Sequence, residues 1–172
     1  MHIRAQTGIS RIEVAIIVTI VGIITIVALP GLWRARMANN EAAAIASLQR
    51  IVSAEMAYAS VCGGNRYADS LETLAAPPPG SAEGFLPADL AGPAPDVGGF
   101  RVRLTRGEGA EAAGADCHGK PTYTGYYASA VPVRFGRTGA RSFAVNTTGT
   151  VWQDVTAAAP QEPFGAPASP IR

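Results

Sequence analysis

Charge and cysteine are the scarcest resources of this chain. Lys and Arg number 14, Asp and Glu number 13, and charged residues make up 16% of the 172 positions, well below the quarter or so usual in soluble domains. A net charge of +1 gives no whole-protein attraction to nucleic acid or anionic lipid. Two cysteines exclude a cysteine-dense scaffold and a four-cysteine zinc site within one chain. There are two histidines, one of them His2, so His118 is the sole candidate imidazole base in the body of the chain. Carboxylates are scattered through loop-like segments, and no Gly-rich phosphate loop follows a strand. With no catalytic constellation, metal-ligand set or cofactor motif, the chain reads as a non-enzyme that needs no cofactor. Apolar residues are abundant at 48%, which excludes a disordered chain, and the length suits one domain or one domain with an appendage.

The apolar residues are unevenly spread. Residues 14–29 carry no charge, and their only polar members are Thr19 and Thr25, whose hydroxyls can bond back to a helix backbone. With Ile12 and the Gly31-Leu32-Trp33 flank, the stretch approaches the ~20 residues that span a bilayer. Trp33 followed by Arg34 and Arg36 has the look of an interface anchor with a positive-inside signal. A cleavable secretory signal fits poorly, because residues 1–8 hold one Arg and one His and no small-x-small site follows the apolar run. Glu13 stands at the edge of that run, where a carboxylate is a functional residue by default.

Gly8-Ile9-Ser10-Arg11-Ile12-Glu13, followed by an apolar helix with Pro30, resembles the N-terminus of type IV pilins and type II secretion pseudopilins. The next segment, LPGLWRARMANNEAAAIASLQRI, is similar to the family as well, and the likeness covers roughly residues 1–60. In that family a short leader ends in Gly, and a prepilin peptidase cuts after it and methylates the new N-terminus. A Glu is fifth after the cut and a Pro twenty-second. The resemblance implies a cut between Gly8 and Ile9, N-methylation of Ile9, and assembly roles for Glu13 and Pro30. It also implies a single-pass inner-membrane precursor that becomes a cell-surface pilus or a periplasmic pseudopilus. The partners implied are copies of the same chain, the peptidase, the inner membrane and an assembly machinery. The sequence departs from the pattern at Ile9, where Phe is usual, at Arg11, where an apolar residue is usual, and in a leader of low charge. Chemically, the amine freed at Ile9 can be neutralised by Glu13 of a neighbouring copy in a filament core of low dielectric, where an unpaired charge is costly. The alternative is that Glu13 snorkels to the headgroups of a simple anchor.

Residues 34–61 contain no Gly or Pro. Met37, Glu41, Ala44, Ile45, Leu48, Ile51, Val52, Met56 and Ala59 follow a helical stripe broken only by Glu41. About fifty helical residues would measure ~75–80 Å. Cys62-Gly63-Gly64 ends the helix, and residues 62–99 are rich in Gly and Pro and irregular. Phe100, Val102 and Leu104 alternate with Arg101, Arg103 and Thr105 as a half-buried strand. Residues 122–133 give a second strand, and 141–155 a hairpin around Thr147-Thr148-Gly149. The expected fold is α+β. A long N-terminal helix, membrane-spanning in its first half, packs on a 3-4 stranded antiparallel sheet in a pilin-like arrangement. The divisions are a leader at 1–8, a transmembrane or filament-core helix at 9–33, its amphipathic continuation at 34–61, an irregular region at 62–99, the sheet at 100–156 and a flexible tail at 157–172.

If this sheet region lies outside the inner membrane, Cys62 and Cys117 are placed for a disulfide between the helix end and a loop; two separate thiols are the alternative. Arg101 and Arg103 share one strand face, and with Arg106, Arg134, Arg137 and Arg141 nearby they would form a patch for DNA phosphates. The alternative is a solvated face or pairing with acidic neighbours. Asn146-Thr147-Thr148 matches a short glycosylation sequon by chance. The function expected is that of a structural subunit of a type IV pilus or pilus-like filament. The other readings are a secretion pseudopilin, a DNA-binding minor pilin used in uptake, and an anchored domain that never polymerises. Few carboxylates in the C-terminal part argue against the calcium site of some pseudopilins.

Overall fold

The computed structural model describes residues 10–171, with side chains described throughout except at 26–30. The chain divides into two compact units, one ending at Arg36 and the other beginning at Met37. Helix α1 (Arg11–Val61) contributes to both. The helical path continues through Pro30, although Pro has no N–H for the carbonyl one turn earlier. Gly8 and Ile9 lie outside the described residues, as does the side chain of Pro30.

No helix among the described residues is long and apolar enough to cross a membrane. This corrects the expected span at 9–33 and, with it, the expected single-pass placement in an inner membrane. The uninterrupted apolar run at 14–29 rises about 24 Å at 1.5 Å per residue, short of a hydrocarbon core of ~30 Å. Arg11 and Glu13 bound the run on one side, and Pro30, Gly31, Arg34 and Arg36 bound it on the other.

The sheet also differs from expectation. Instead of three or four strands the described residues form six, all paired antiparallel, with a separate two-stranded sheet. The strands are β1 (Asp96–Val97), β2 (Phe100–Arg106), β3 (Ala112–Ala115), β4 (Pro121–Tyr123), β5 (Tyr126–Pro132), β6 (Ser142–Asn146), β7 (Trp152–Asp154) and β8 (Ser169–Pro170). The large sheet runs in the order β1-β2-β5-β6-β7-β8, and β3 pairs with β4. The two extra edge strands are two residues each, too short to carry a period-two pattern. A short helix α2 (Leu71–Ala75) starts at Ser70, whose hydroxyl accepts from the Thr73 N–H, and a 3-10 turn follows at Ala88–Leu90.

One face of the sheet meets the second half of α1. Ala44, Leu48, Ile51, Ala54 and Tyr58 from the helix join Phe100, Val102 and Leu104 of β2, Ala128 and Ala130 of β5, and Phe143 and Val145 of β6 in one core. Leu71, Leu74 and Leu90 close it. Met56, expected in the buried stripe, is 60% exposed; the stripe passes instead through Ala54 and Tyr58. At the end of β5 the connection to β6 crosses so close to Phe100 that a Cβ at Gly139 would overlap its ring. That position admits only glycine without a shift of the core.

The tail at 157–172 was expected to be flexible; its described residues, 157–171, are packed on the other face of the sheet. Strand β8 pairs with β7. Phe164 stacks on Trp152 with ring centroids 5.4 Å apart, and the Tyr127 hydroxyl donates to Pro160 O at 2.6 Å; just before the tail, Ser142 donates to Thr156 O at 2.7 Å. This second cover explains why Ser142, Phe143, Ala144 and Val145 of β6 are all buried.

Candidate assembly surface

In the first unit, apolar side chains face outward. Ile12, Val14, Ile16, Ile17, Val18, Ile20, Val21, Ile23 and Ile24 are each about half exposed or more. At 100° per residue these nine cover about two-thirds of the helix circumference. Ala15, Thr19 and Gly22 occupy the remainder. Thr19 donates to Ala15 O at 2.8 Å and Thr25 to Val21 O at 2.7 Å, so both hydroxyls are satisfied within the helix. A helix that is apolar nearly all round is normally buried. The only acidic residue among the described residues of the first unit, Glu13, is exposed in the first turn of α1, where the helix dipole favours a negative charge. Arg11 and Glu13 are two positions apart and project to different sides. Neither forms an ion pair with another described residue.

The other sequence candidates separate. Cys62 and Cys117 form a disulfide, with Cα atoms 4.9 Å apart. The Cys117 N–H donates to Cys62 O at 3.1 Å, so the end of α1 holds the β3–β4 loop by covalent and hydrogen bonds. Asp116 reinforces the junction by accepting from Tyr58 Oη at 3.0 Å and from the N–H groups of His118 and Lys120 at 2.8 Å. Burial pushes the Asp116 carboxyl up, but those three donors outweigh it and leave the pKa below the usual value. His118 lies beside the disulfide, whose sulfurs are no longer thiolate ligands. Its Nε2 is 3.1 Å from Pro77 O.

Three of the six arginines, Arg101, Arg106 and Arg141, are engaged within the chain. Arg101 and Arg103 do share the exposed face of β2, but Arg101 pairs with Asp96 at 3.2 Å. Arg106 lies over the Tyr123 ring. Arg141 is drawn to the helix side, with Nη2 2.6 Å from Glu41 Oε2 and Nη1 2.6 Å from Gln153 Oε1. Arg101 and Arg141 are thus paired with acidic neighbours, the alternative to phosphate contact at those two positions. Asn146 is tied on both sides, donating to Glu162 at 2.6 Å and accepting from Thr148 N and Oγ1.

Two carboxylates of α1 are buried: Glu41, which the sequence marks only as a break in the stripe, and Glu55, which it does not single out. Glu41, the break in the apolar stripe, accepts from Ala140 N and from Arg141 Nε and Nη2. Glu55 is fully buried and accepts from Ala68 N at 3.0 Å, while its Oε1 has no partner among the described residues. Burial, opposed by that hydrogen bond and aided by Asp69, pushes its carboxyl up to about 8. The one available signal was position: both fall on the buried side of a helical stripe, where a carboxylate requires an explanation.

No protein-family model, characterised protein or solved structure matches this chain.

Proposed function

We propose that this chain is the structural subunit of a pilus-like filament, of the type IV pilus or secretion-pseudopilus kind. It is cut between Gly8 and Ile9, methylated on Ile9, and polymerised through the first turns of α1. The observation that carries the reading is the ring of nine outward Val and Ile side chains from Ile12 to Ile24, with Glu13 in the first turn. Covering nine half-exposed side chains at about 1 kcal/mol each is worth on the order of 10 kcal/mol per subunit, before the cost of lost rigid-body freedom. Packing against copies of the same helix covers them all round. Glu13 of one copy then neutralises the Ile9 amine of the next and sets the axial register, since leaving either charge alone in that core is costly.

The test is the intact mass of the protein in sheared surface material and in the cell-bound fraction. A species beginning at Ile9 with one added methyl, abundant in the sheared material, supports a surface pilus. The same species held with the cells supports a pseudopilus. A chain that retains residues 1–8 in both fractions overturns the reading. Glu13→Ala is expected to leave the second unit folded and to abolish filaments.

A further inference from the structure

Strand β6 has a protruding turn at one end and an aromatic, acidic cleft at the other. The turn, residues 133–139, connects β5 to β6 and carries Val133 at 42% and Phe135 at 46% exposure beside the exposed Arg134. It is rigid. Arg134 N donates to Thr138 Oγ1 at 3.1 Å, Thr138 N donates to Arg134 O at 2.9 Å, and Gly136 N donates to Gly139 O at 2.8 Å. The cleft, at the β6–β7 end, has a volume of about 640 Å³ and is lined by Glu108, Asn146, Trp152, Glu162 and Phe164 among others. Glu162 there accepts from Glu108 N at 2.7 Å and from Asn146 Nδ2 at 2.6 Å. The Glu108 carboxylate has no bonding partner among the described residues. Arg106 lines the adjoining hollow with both carboxylates, but it is turned over Tyr123 and forms no ion pair with either among the described residues.

We propose that the turn around Phe135 of one copy seats in the cleft between Glu108 and Phe164 of the next copy, with Arg134 against Glu108 and the Phe135 ring against the aromatic wall. The complement is of charge and of aromatic character. A cation beside an exposed aromatic ring at one end of the strand meets two carboxylates beside Trp152 and Phe164 at the other. The ends are separated by the length of β6, about 17 Å at ~3.4 Å per residue. A surface at one end that fits a surface at the other is heterologous, so it passes from copy to copy instead of ending in a two-fold dimer, and within a filament it repeats along the chain of copies. Because the turn is held by its own hydrogen bonds, little ordering is required on docking. The contact rests on the filament reading and adds a second interface to it, between second units of successive copies.

The experiment is cross-linking in sheared filaments of the full-length chain with Arg134→Cys and Glu108→Cys together. Both native cysteines are consumed in the disulfide, so the introduced thiols are the reactive ones. A short bismaleimide is expected to give a ladder of dimers, trimers and higher chains from the double variant, and monomer from either single variant. Filaments of the double variant that stay monomeric overturn this contact while leaving the filament reading intact, as does cross-linking within a single variant. Wild-type preparations without filaments overturn the filament reading and this interface together. In parallel, Arg134→Glu is expected to lower the yield of sheared filament by about tenfold through like-charge juxtaposition, and adding Glu108→Arg in the same chain to restore it. Equal yields from all three chains would overturn the proposed pairing.

Discussion

Glu55 makes the stability of the second unit depend on pH in a defined direction. Its carboxyl is fully buried in the core stripe of α1, with one oxygen on Ala68 N and the other unpartnered among the described residues. Asp69, Tyr58 and Tyr126 are the titratable groups that feel it. Unfolded, the group titrates at 4.5; folded, it holds its proton up to about 8. Its contribution is therefore intact below pH 4.5 and declines as pH rises towards 8, because over that interval the folded state binds more protons than the unfolded state. A shift of that size corresponds to a loss of at most ~5 kcal/mol. This is a large fraction of a typical domain stability of 5–15 kcal/mol. Glu55→Gln keeps the acceptor for Ala68 and removes the titration. Urea unfolding of the full-length chain, followed by the near-ultraviolet tyrosine signal from pH 5 to 9, is expected to show a midpoint that falls with pH in the wild type and stays much flatter in the variant. Equal slopes in both proteins would refute the assignment of this dependence to Glu55.

The disulfide and the Glu41 site give two further expectations. Replacing both Cys62 and Cys117 with Ser removes a cross-link spanning a sequence separation of 55; unfolding free energy is expected to drop by about 4 kcal/mol from chain entropy, and a calorimetric Tm unchanged from the wild type would contradict it. Arg141→Ala strands the Glu41 carboxylate, whose side chain is 8% exposed against 39% for Arg141. A loss of about 2 kcal/mol is expected, below the 3–5 kcal/mol typical of a fully buried pair. Glu41→Gln in the same background should recover part of it in urea denaturation. No recovery would mean that the lost contact of the Arg141 guanidinium with the Phe143 ring, and not the stranded charge, was responsible.

What could be read in the sequence was what repeats locally. The alternation of Phe100, Val102 and Leu104 with Arg101 and Arg103 appears unchanged in β2, where the first set is buried and the arginines are exposed. The α1 stripe was legible for the same reason over Ala44, Leu48 and Ile51, because a period of 3.6 is visible in any ten residues. The apolar run falls short of a membrane span because Gly31, Leu32 and Trp33 do not extend it past Pro30, and Arg34 and Arg36 follow at once. The sheet was undercounted because β1 and β8 are too short to have a period, and their existence is decided by β2 and β7, against which they lie. The tail followed from neither composition nor period. Four prolines suggested mobility, yet Trp152, Tyr127 and Asn146 hold it from the sheet side.

The buried carboxylates show where local reading stops and what it still offers. Nothing within ten residues of Glu41 announces Arg141, which is 100 positions away, and nothing near Glu55 explains an acceptor that serves the Ala68 N–H across a turn of chain. The compensation is supplied only by the fold. Yet in a chain with so few charges, a carboxylate on the apolar side of a helix cannot be surface decoration, because burying it without a partner is costly. Such a position predicts that some distant donor, or a retained proton, awaits it. Glu41 takes the first solution and Glu55 takes half of each. Glu13 differs because its helix turn is still exposed within the single chain. On the filament reading its donor comes from another copy, so the same physical rule that places Arg141 on Glu41 within one subunit places the Ile9 amine on Glu13 between two.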